Sequence, residues 1–366
     1  MSTIKITNIA NKDNNGGPVV SGISTFLSTE SVKFPVGTTA QRVGIESGSL
    51  RYNSTDNTLE FYNGTQWLTI SQSSTLINAR GVFGGGYVSP VVQNVMDYIT
   101  ITTIGNATDF GDLSTSRHYL ASCSSSTRGV FGGGITPLNT NTIDYITIST
   151  VGNAIDFGDI TNARGYLSAC SSSTRGVFGG GQGAPVANII EYITISSIGN
   201  ATDFGDLTVA RLNLAACSSS TRGVFGGGGS PTANNTIDYI TIASTGDATD
   251  FGDLTQSRQG LAACSSSTRG VFGGGYIPTL TNTIDYITIS SVGNATDFGD
   301  LTLVRQAPAA CSSSTRGVFG GGSVPTNSNT IDYITIATTG NALDFGDLTV
   351  ARSGLAACSN NHGGLS

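Results

Sequence analysis

The sequence predicts an all-β protein: a six-bladed β-propeller closed by its own C-terminal strand, preceded by a small N-terminal β-meander and an extended arm. Three observations predict it. The phrase Arg-Gly-Val-Phe-Gly-Gly-Gly begins at Arg80, Arg128, Arg175, Arg222, Arg269 and Arg316, a step of 48 and then of 47 residues. A second phrase, Asp-Phe-Gly-Asp, begins at Asp109, Asp156, Asp203, Asp250, Asp297 and Asp344. A unit of this length suits a four-stranded blade, and no segment carries the 3.6-residue apolar period of a helix.

Each unit reads as four short strands, here lettered a to d. In the second copy, residues 120–124 are small and apolar (a) and residues 128–132 are Arg-Gly-Val-Phe-Gly (b). Residues 142–148 are β-branched and aromatic (c), and residues 154–160 surround Asp-Phe-Gly-Asp (d). Gly, Ser, Asn and Pro clusters separate them, as turns require. The first unit lacks a strand a, whereas the last ends with an extra one around Cys358. That strand should pair with the one around Val82, so that no sheet edge stays open. The chain then divides into an extended arm (1–33), a small β-meander (34–70), a linker (71–79) and the propeller (80–366).

The unit resembles a kelch repeat: a strand ending in Gly-Gly, a Tyr-bearing strand, an aromatic residue, and an Arg seven residues later, as from Phe157 to Arg164. It departs from that family in carrying Phe where the family has Trp, and in a longer interval from Tyr145 to Phe157.

Composition narrows the functions. Gly is abundant at 50 residues, yet 15 Phe and 12 Tyr suffice for a core. Residues 1–79 carry five basic and five acidic side chains, so the net charge of −7 belongs to the repeats, which contain no Lys. An acidic surface without Lys argues against nucleic acid or an anionic membrane as partner. No apolar run is long enough to span a bilayer, and the N-terminus lacks the apolar stretch of a signal peptide.

Four features look like chemistry and have simpler explanations. Six Cys recur at one position of strand a, where equivalent residues of different blades fit buried small hydrophobes better than disulfides or a metal ring. Asp-Phe-Gly-Asp echoes a kinase Mg²⁺ motif, but sixfold repetition without partner motifs removes that reading. The three acids and two Arg of each unit, such as Asp144, Asp156 and Asp159 with Arg128 and Arg164, are expected to form ion pairs at blade junctions. The Gly triplet is expected to allow close backbone approach and a tight turn. No catalytic residues, metal or cofactor are expected, although an acid pair for glycoside hydrolysis keeps a glycan-cleaving enzyme as a third reading.

Because the copies are nearly identical, the differences between them are informative. One variable stretch lies between strands b and c and includes Tyr87, Val88, Ile135, Leu138, Gln182, Tyr276, Ile277 and Val324. The other lies between d and a and includes His118, Tyr119, Tyr166, Leu212, Asn213, Gln259 and Gln306. The a–b and c–d loops barely change. In an antiparallel blade the b–c and d–a loops share one face, so divergence is confined to that face. Drift alone would loosen both faces, and loops on a rigid scaffold are where recognition resides. These residues are the candidate ligand or receptor face.

In the N-terminal part, residues 49–53, 58–63 and 66–70 read as a three-stranded meander with a tight-hairpin signal at Asn63-Gly64. Residues 22–26 and 32–39 look like isolated strands. Phe34-Pro-Val-Gly-Thr-Thr-Ala-Gln-Arg and the stretch from Gly48 to Trp67 resemble virion proteins of tailed phages, notably tail-fibre and tail-tip proteins of marine cyanophages. The resemblance implies attachment to the particle through residues 1–70, with Phe34, Arg51, Tyr52, Phe61, Tyr62 and Trp67 as candidate contacts to other virion proteins. It also implies a homo-oligomer, a trimer by preference, in the phage tail. The distal domain would then meet a host-surface glycan or protein. The alternative is a purely structural virion or filament subunit.

Overall fold

The computed structural model describes residues 35–42, 46–70 and 79–365. The expected arm, Phe34 and most of the linker lie outside the described residues. The chain divides into two compact units, residues 1–73 and 74–366. The described part is all-β, and its helical turns are 3-10 turns at Thr39–Gln41 and Gly363–Leu365.

In the first unit, four strands run β1 (Val36–Gly37), β2 (Leu50–Asn53), β3 (Thr58–Tyr62) and β4 (Trp67–Ile70), side by side in that order. The last three form the expected meander. β1 is not isolated: it pairs in parallel with β2, Val36 opposite Tyr52. The β3–β4 connection is a four-residue loop rather than a two-residue turn, since Tyr62 stands opposite Trp67. The side chain of Asn63 shapes it by accepting from the amides of Thr65 and Gln66, both at 2.9 Å.

The second unit holds six four-stranded antiparallel sheets. Five have their strands a to d consecutive in sequence. In sheet 2 these are Ala121–Ser124, Arg128–Gly132, Thr142–Thr147 and Ile155–Asp159. Sheets 3 to 6 repeat this plan around Cys170, Cys217, Cys264 and Cys311. Sheet 1 combines the two ends of the unit: Ala356–Ser359 pairs with Arg80–Val88, which continues to Val91–Thr100 and Thr108–Asp112. Cys358 stands opposite Val82, as the sequence predicts.

Alternation within the strands builds the core. In strand b the Val and Phe are fully buried, as in Val130 and Phe131. Six apolar clusters result, each shared between successive sheets. One joins Phe83 and Ile99 of sheet 1 to Val318 and Ile331 of sheet 6. The Gly triplet does what the sequence suggests. A β-carbon on Gly132 would lie 2.7 Å from the ring of Phe178 in the next sheet, and Gly133 has φ +66 with the carbonyl of Arg164 close by.

The charge pairing is narrower than expected. Arg117, Arg164, Arg211, Arg258, Arg305 and Arg352 are fully buried and pair with the strand c acids Asp144, Glu191, Asp238, Asp285, Asp332 and Asp97. Each Arg precedes strand a and is thereby tied to strand c of the same sheet. Among the described residues the other six Arg of the repeats pair with no acid. Arg128 lies 4.4 Å over the Tyr145 ring and donates to the carbonyl of Ile195 in the next sheet at 2.7 Å. Among the described residues the acids of Asp-Phe-Gly-Asp make no ion pair. They sit on strand d, where solvent can hydrate them, so a partner charge is unnecessary.

Two cyclic series of hydrogen bonds link the strands a. At one end, the Ser124 hydroxyl donates to the carbonyl of Ser359 at 2.7 Å, Ser171 to Ser124 at 2.9 Å, and Ser218 to Ser171 at 2.8 Å. Ser265, Ser312 and Ser359 continue the series at 2.7, 2.8 and 2.6 Å. At the other end, the amides of Tyr119, Tyr166, Asn213, Gly260, Ala307 and Gly354 each donate to the preceding member's carbonyl. Tyr119 closes onto Gly354 at 2.6 Å. Each such bond contributes about 1 kcal/mol net.

Candidate functional site

The two variable stretches meet. The residue following each buried Arg bridges to the first residue after a Gly triplet: His118 with Ile135, Gly165 with Gln182, Leu212 with Gly229, Gln259 with Tyr276, Gln306 with Ser323 and Ser353 with Tyr87. Each bridge is made by the same pair of positions, which carry different side chains in different copies. Leu138, Gln182 and Tyr276 are exposed. Val88, Ile135, Leu212, Gln259, Ile277, Gln306 and Val324 are half-buried. Leu138 stands out furthest, at 78% exposure, on a small ribbon of Ile135–Thr136 and Leu138–Asn139.

The next residue of each d–a loop surrounds a depression lined by the tips of all six strands a. Its rim runs Tyr119, Tyr166, Asn213, Gly260, Ala307, Gly354, each at φ between 52° and 67°. In this left-handed region Gly costs nothing, whereas a side chain costs roughly 1–2 kcal/mol. Two copies carry Gly there and two carry Tyr, so the rim is bulky at Tyr119 and Tyr166 and bare at Gly260 and Ala307, while the Tyr119 ring covers Gly354.

The bulky part is aromatic. Tyr119 and Tyr166 stack with centroids 4.0 Å apart. His118 lies 4.9 Å from Tyr119 and 5.3 Å from Tyr87, so four rings run in sequence. All four are half-buried. Nδ1 of His118 donates to the carbonyl of Ile135 at 3.1 Å, which leaves Nε2 as an acceptor. Burial lowers the His118 pKa, so the ring is neutral near pH 7. Burial raises the phenols of Tyr119 and Tyr166, which stay protonated. No residue lining the depression is an acid or a base.

The opposite end of the strands a is covered by the chain's own tail. Nε2 of His362 donates to the carbonyl of Ser124 at 3.0 Å, and Nδ1 accepts from the amide of Gly364 at 3.1 Å. A β-carbon on Gly364 would stand 1.8 Å from the carbonyl oxygen of Ser171, so nothing larger fits. Burial lowers the His362 pKa to about 4. This cover is not among the features expected from the sequence. The nearest signal was Gly363-Gly364 after His362, a pair without a repeat equivalent.

In the first unit the sheet has two unlike faces. One holds a polar core: Arg51 donates to the carbonyls of Thr38 at 2.9 Å and Gln41 at 3.1 Å, and Arg42 binds Glu60. That hydrogen bond holds the Glu60 carboxyl below its usual range. Tyr62 and Trp67 lie on this face, 5.3 Å apart, with Arg51 over the Trp67 ring at 5.6 Å. The other face carries Val36, Leu50, Tyr52, Leu68 and Ile70, all exposed, with Leu59 and Phe61 partly covered. The proposed attachment residues therefore separate. Tyr52 and Phe61 belong to an open apolar surface. Arg51 is only 6% exposed and holds the 3-10 turn at Thr39–Gln41 onto the sheet, so it cannot serve as a docking contact.

No protein-family model and no curated protein matches the chain. Among the described residues no helix is long and apolar enough to cross a membrane.

Proposed function

We propose that the six sheets form a closed, kelch-like six-bladed propeller and that the protein is a non-enzymatic recognition subunit of a phage tail. Residues 1–70 attach it to the particle beside other virion proteins, as a homo-oligomer, and the propeller meets a glycan or protein of the host surface. The cyclic hydrogen bonds and the pairing of Ala356–Ser359 with Arg80–Val88 support the closed propeller.

The observation that carries the recognition reading is the concentration of sequence differences in the bridged b–c and d–a tips on one face of nearly identical sheets. A scaffold held constant by buried Arg pairs while its tips diverge is the arrangement of a binding surface. The exposed apolar face of the small sheet, centred on Tyr52 and Phe61, supports attachment, because an uncovered patch of this kind marks a protein contact.

The second reading, a structural subunit whose propeller contacts other subunits, is favoured by the same apolar face. Adsorption of virus carrying Leu138→Ser with Tyr276→Ser separates the two. Reduced adsorption by normally assembled particles supports recognition. Unchanged adsorption with damaged assembly overturns it.

A further inference from the structure

We propose that the aromatic crescent Tyr87–His118–Tyr119–Tyr166, which reaches the axial depression through Tyr119 and Tyr166, is a single binding site for a neutral sugar, unlike the other tips. This rests on the recognition reading and names where on the face the ligand sits and what it is.

The backbone of the rim supports a use for its side chains. Tyr119 and Tyr166 occupy a left-handed conformation that their counterparts Gly260 and Gly354 adopt freely. Folding requires no side chain at this position, since two copies do without one. Bulky residues that persist in a disfavoured conformation point to a use for the side chain.

The four rings offer adjoining, partly open aromatic surface. The polar groups around them are uncharged: three phenol hydroxyls, the Nε2 acceptor of His118 and the amide of Asn213. Such a set matches a pyranose, with an apolar C–H face to lie on a ring and hydroxyls that both donate and accept. It does not suit a phosphate, a sulfate or a carboxylate, because no cation lines the depression. The bare part of the rim, at Gly260 and Ala307, leaves space for the rest of a ligand to cross the axis, whereas Gly354 lies under the Tyr119 ring.

The test is a double variant, Tyr119→Gly with Tyr166→Gly, made in the full chain. The position accepts Gly, so the variant is expected to fold and to melt at or above the wild-type temperature. Saturation-transfer NMR uses cellohexaose, maltohexaose and mannohexaose as probes. At least one is expected to receive saturation from the wild type. The double variant should bind it about tenfold more weakly or worse, the counterpart of a lost aromatic contact, and Val292→Thr, on a c–d loop, should match the wild type. No transfer from any of the three, or equal transfer to the double variant, overturns the proposal.

Sedimentation of the chain with cyanobacterial cell envelopes separates this inference from the reading beneath it. Binding that the double variant loses, and that periodate treatment of the envelope abolishes, supports both. Binding that the double variant keeps, or that protease treatment of the envelope abolishes, leaves recognition standing and sinks the sugar site. No envelope binding by the wild type removes the recognition reading itself.

Discussion

The sulfur of Cys358 is seated against Gly129 of the neighbouring sheet: a β-carbon on Gly129 would lie 2.6 Å from it. The relationship recurs between Cys123 and Gly176, Cys170 and Gly223, Cys217 and Gly270, Cys264 and Gly317, and Cys311 and Gly81. It explains both invariant positions at once. The six thiols are free and buried, and burial pushes those of Cys217 and Cys358 up to about 12, which leaves them without thiolate character near neutrality.

Gly129→Ala is expected to destabilise the repeats by about 1–3 kcal/mol through overpacking. Adding Cys358→Ala should recover part of that loss, because it removes the atom in the way. Urea melts of the two single variants and the double variant measure the coupling. Penalties that simply add would show that the two residues do not collide.

Sheet 3 differs from the rest in carrying Glu191 where the others have Asp. In sheet 2, Nη1 of Arg117 donates to the carbonyl of Thr142 at 2.7 Å, whereas Nη1 of Arg164 is buried without a hydrogen-bond partner among the described residues. The longer acid holds the guanidinium away from the strand c carbonyl. Glu191→Asp should let Arg164 settle as its counterparts do and raise stability by about 1 kcal/mol. Thermal unfolding checks this, and a fall in melting temperature would contradict it.

His362 makes the tail's seat pH-dependent. In the folded chain Nδ1 is occupied by the Gly364 amide and the ring stays neutral until about pH 4, against an ordinary value of 6.5. Between those values the released histidine binds a proton that the seated one does not. The tail's contribution is therefore intact above pH 6.5 and declines as the pH falls towards 4. Exchange of the Gly364 amide should accelerate over that window, and His362→Gln should flatten the dependence. An equally steep profile in the variant would assign it to other groups.

Much of this arrangement is legible in the sequence because repetition amplifies weak signals. A single Thr-Ile-Asp-Tyr-Ile-Thr could be many things, but six copies in register with Arg-Gly-Val-Phe fix strands b and c, and Arg128–Gly132 occurs where expected. The missing strand a of the first unit identified the partner of Val82 for the same reason. Contacts that depend on distance along no single strand were not legible. The pairing of Arg117 with Asp144 rather than with Asp156 depends on which face of strand c is buried. The crescent depends on His118 and Tyr119 meeting Tyr87 and Tyr166 across sheets. In the first unit, the alternation of Leu50, Arg51 and Tyr52 reads equally well with either face inward, and the structure buries the polar one.

The junction in sheet 1 has a kinetic consequence. Strand b is the same pentapeptide in every copy, and Ala356–Ser359 repeats the sequence of three earlier strands. The strand that must reach Arg80–Val88 thus encounters several chemically equivalent docking edges during folding, while its own lies 280 residues away, as in the bond from the Arg80 amide to Asn360. Local sheets should assemble quickly and this junction last, at a rate set by the search across the whole repeat array. A chain that mispairs one copy early would hold an unpaired strand with every local contact satisfied, a trap that only unzipping can undo.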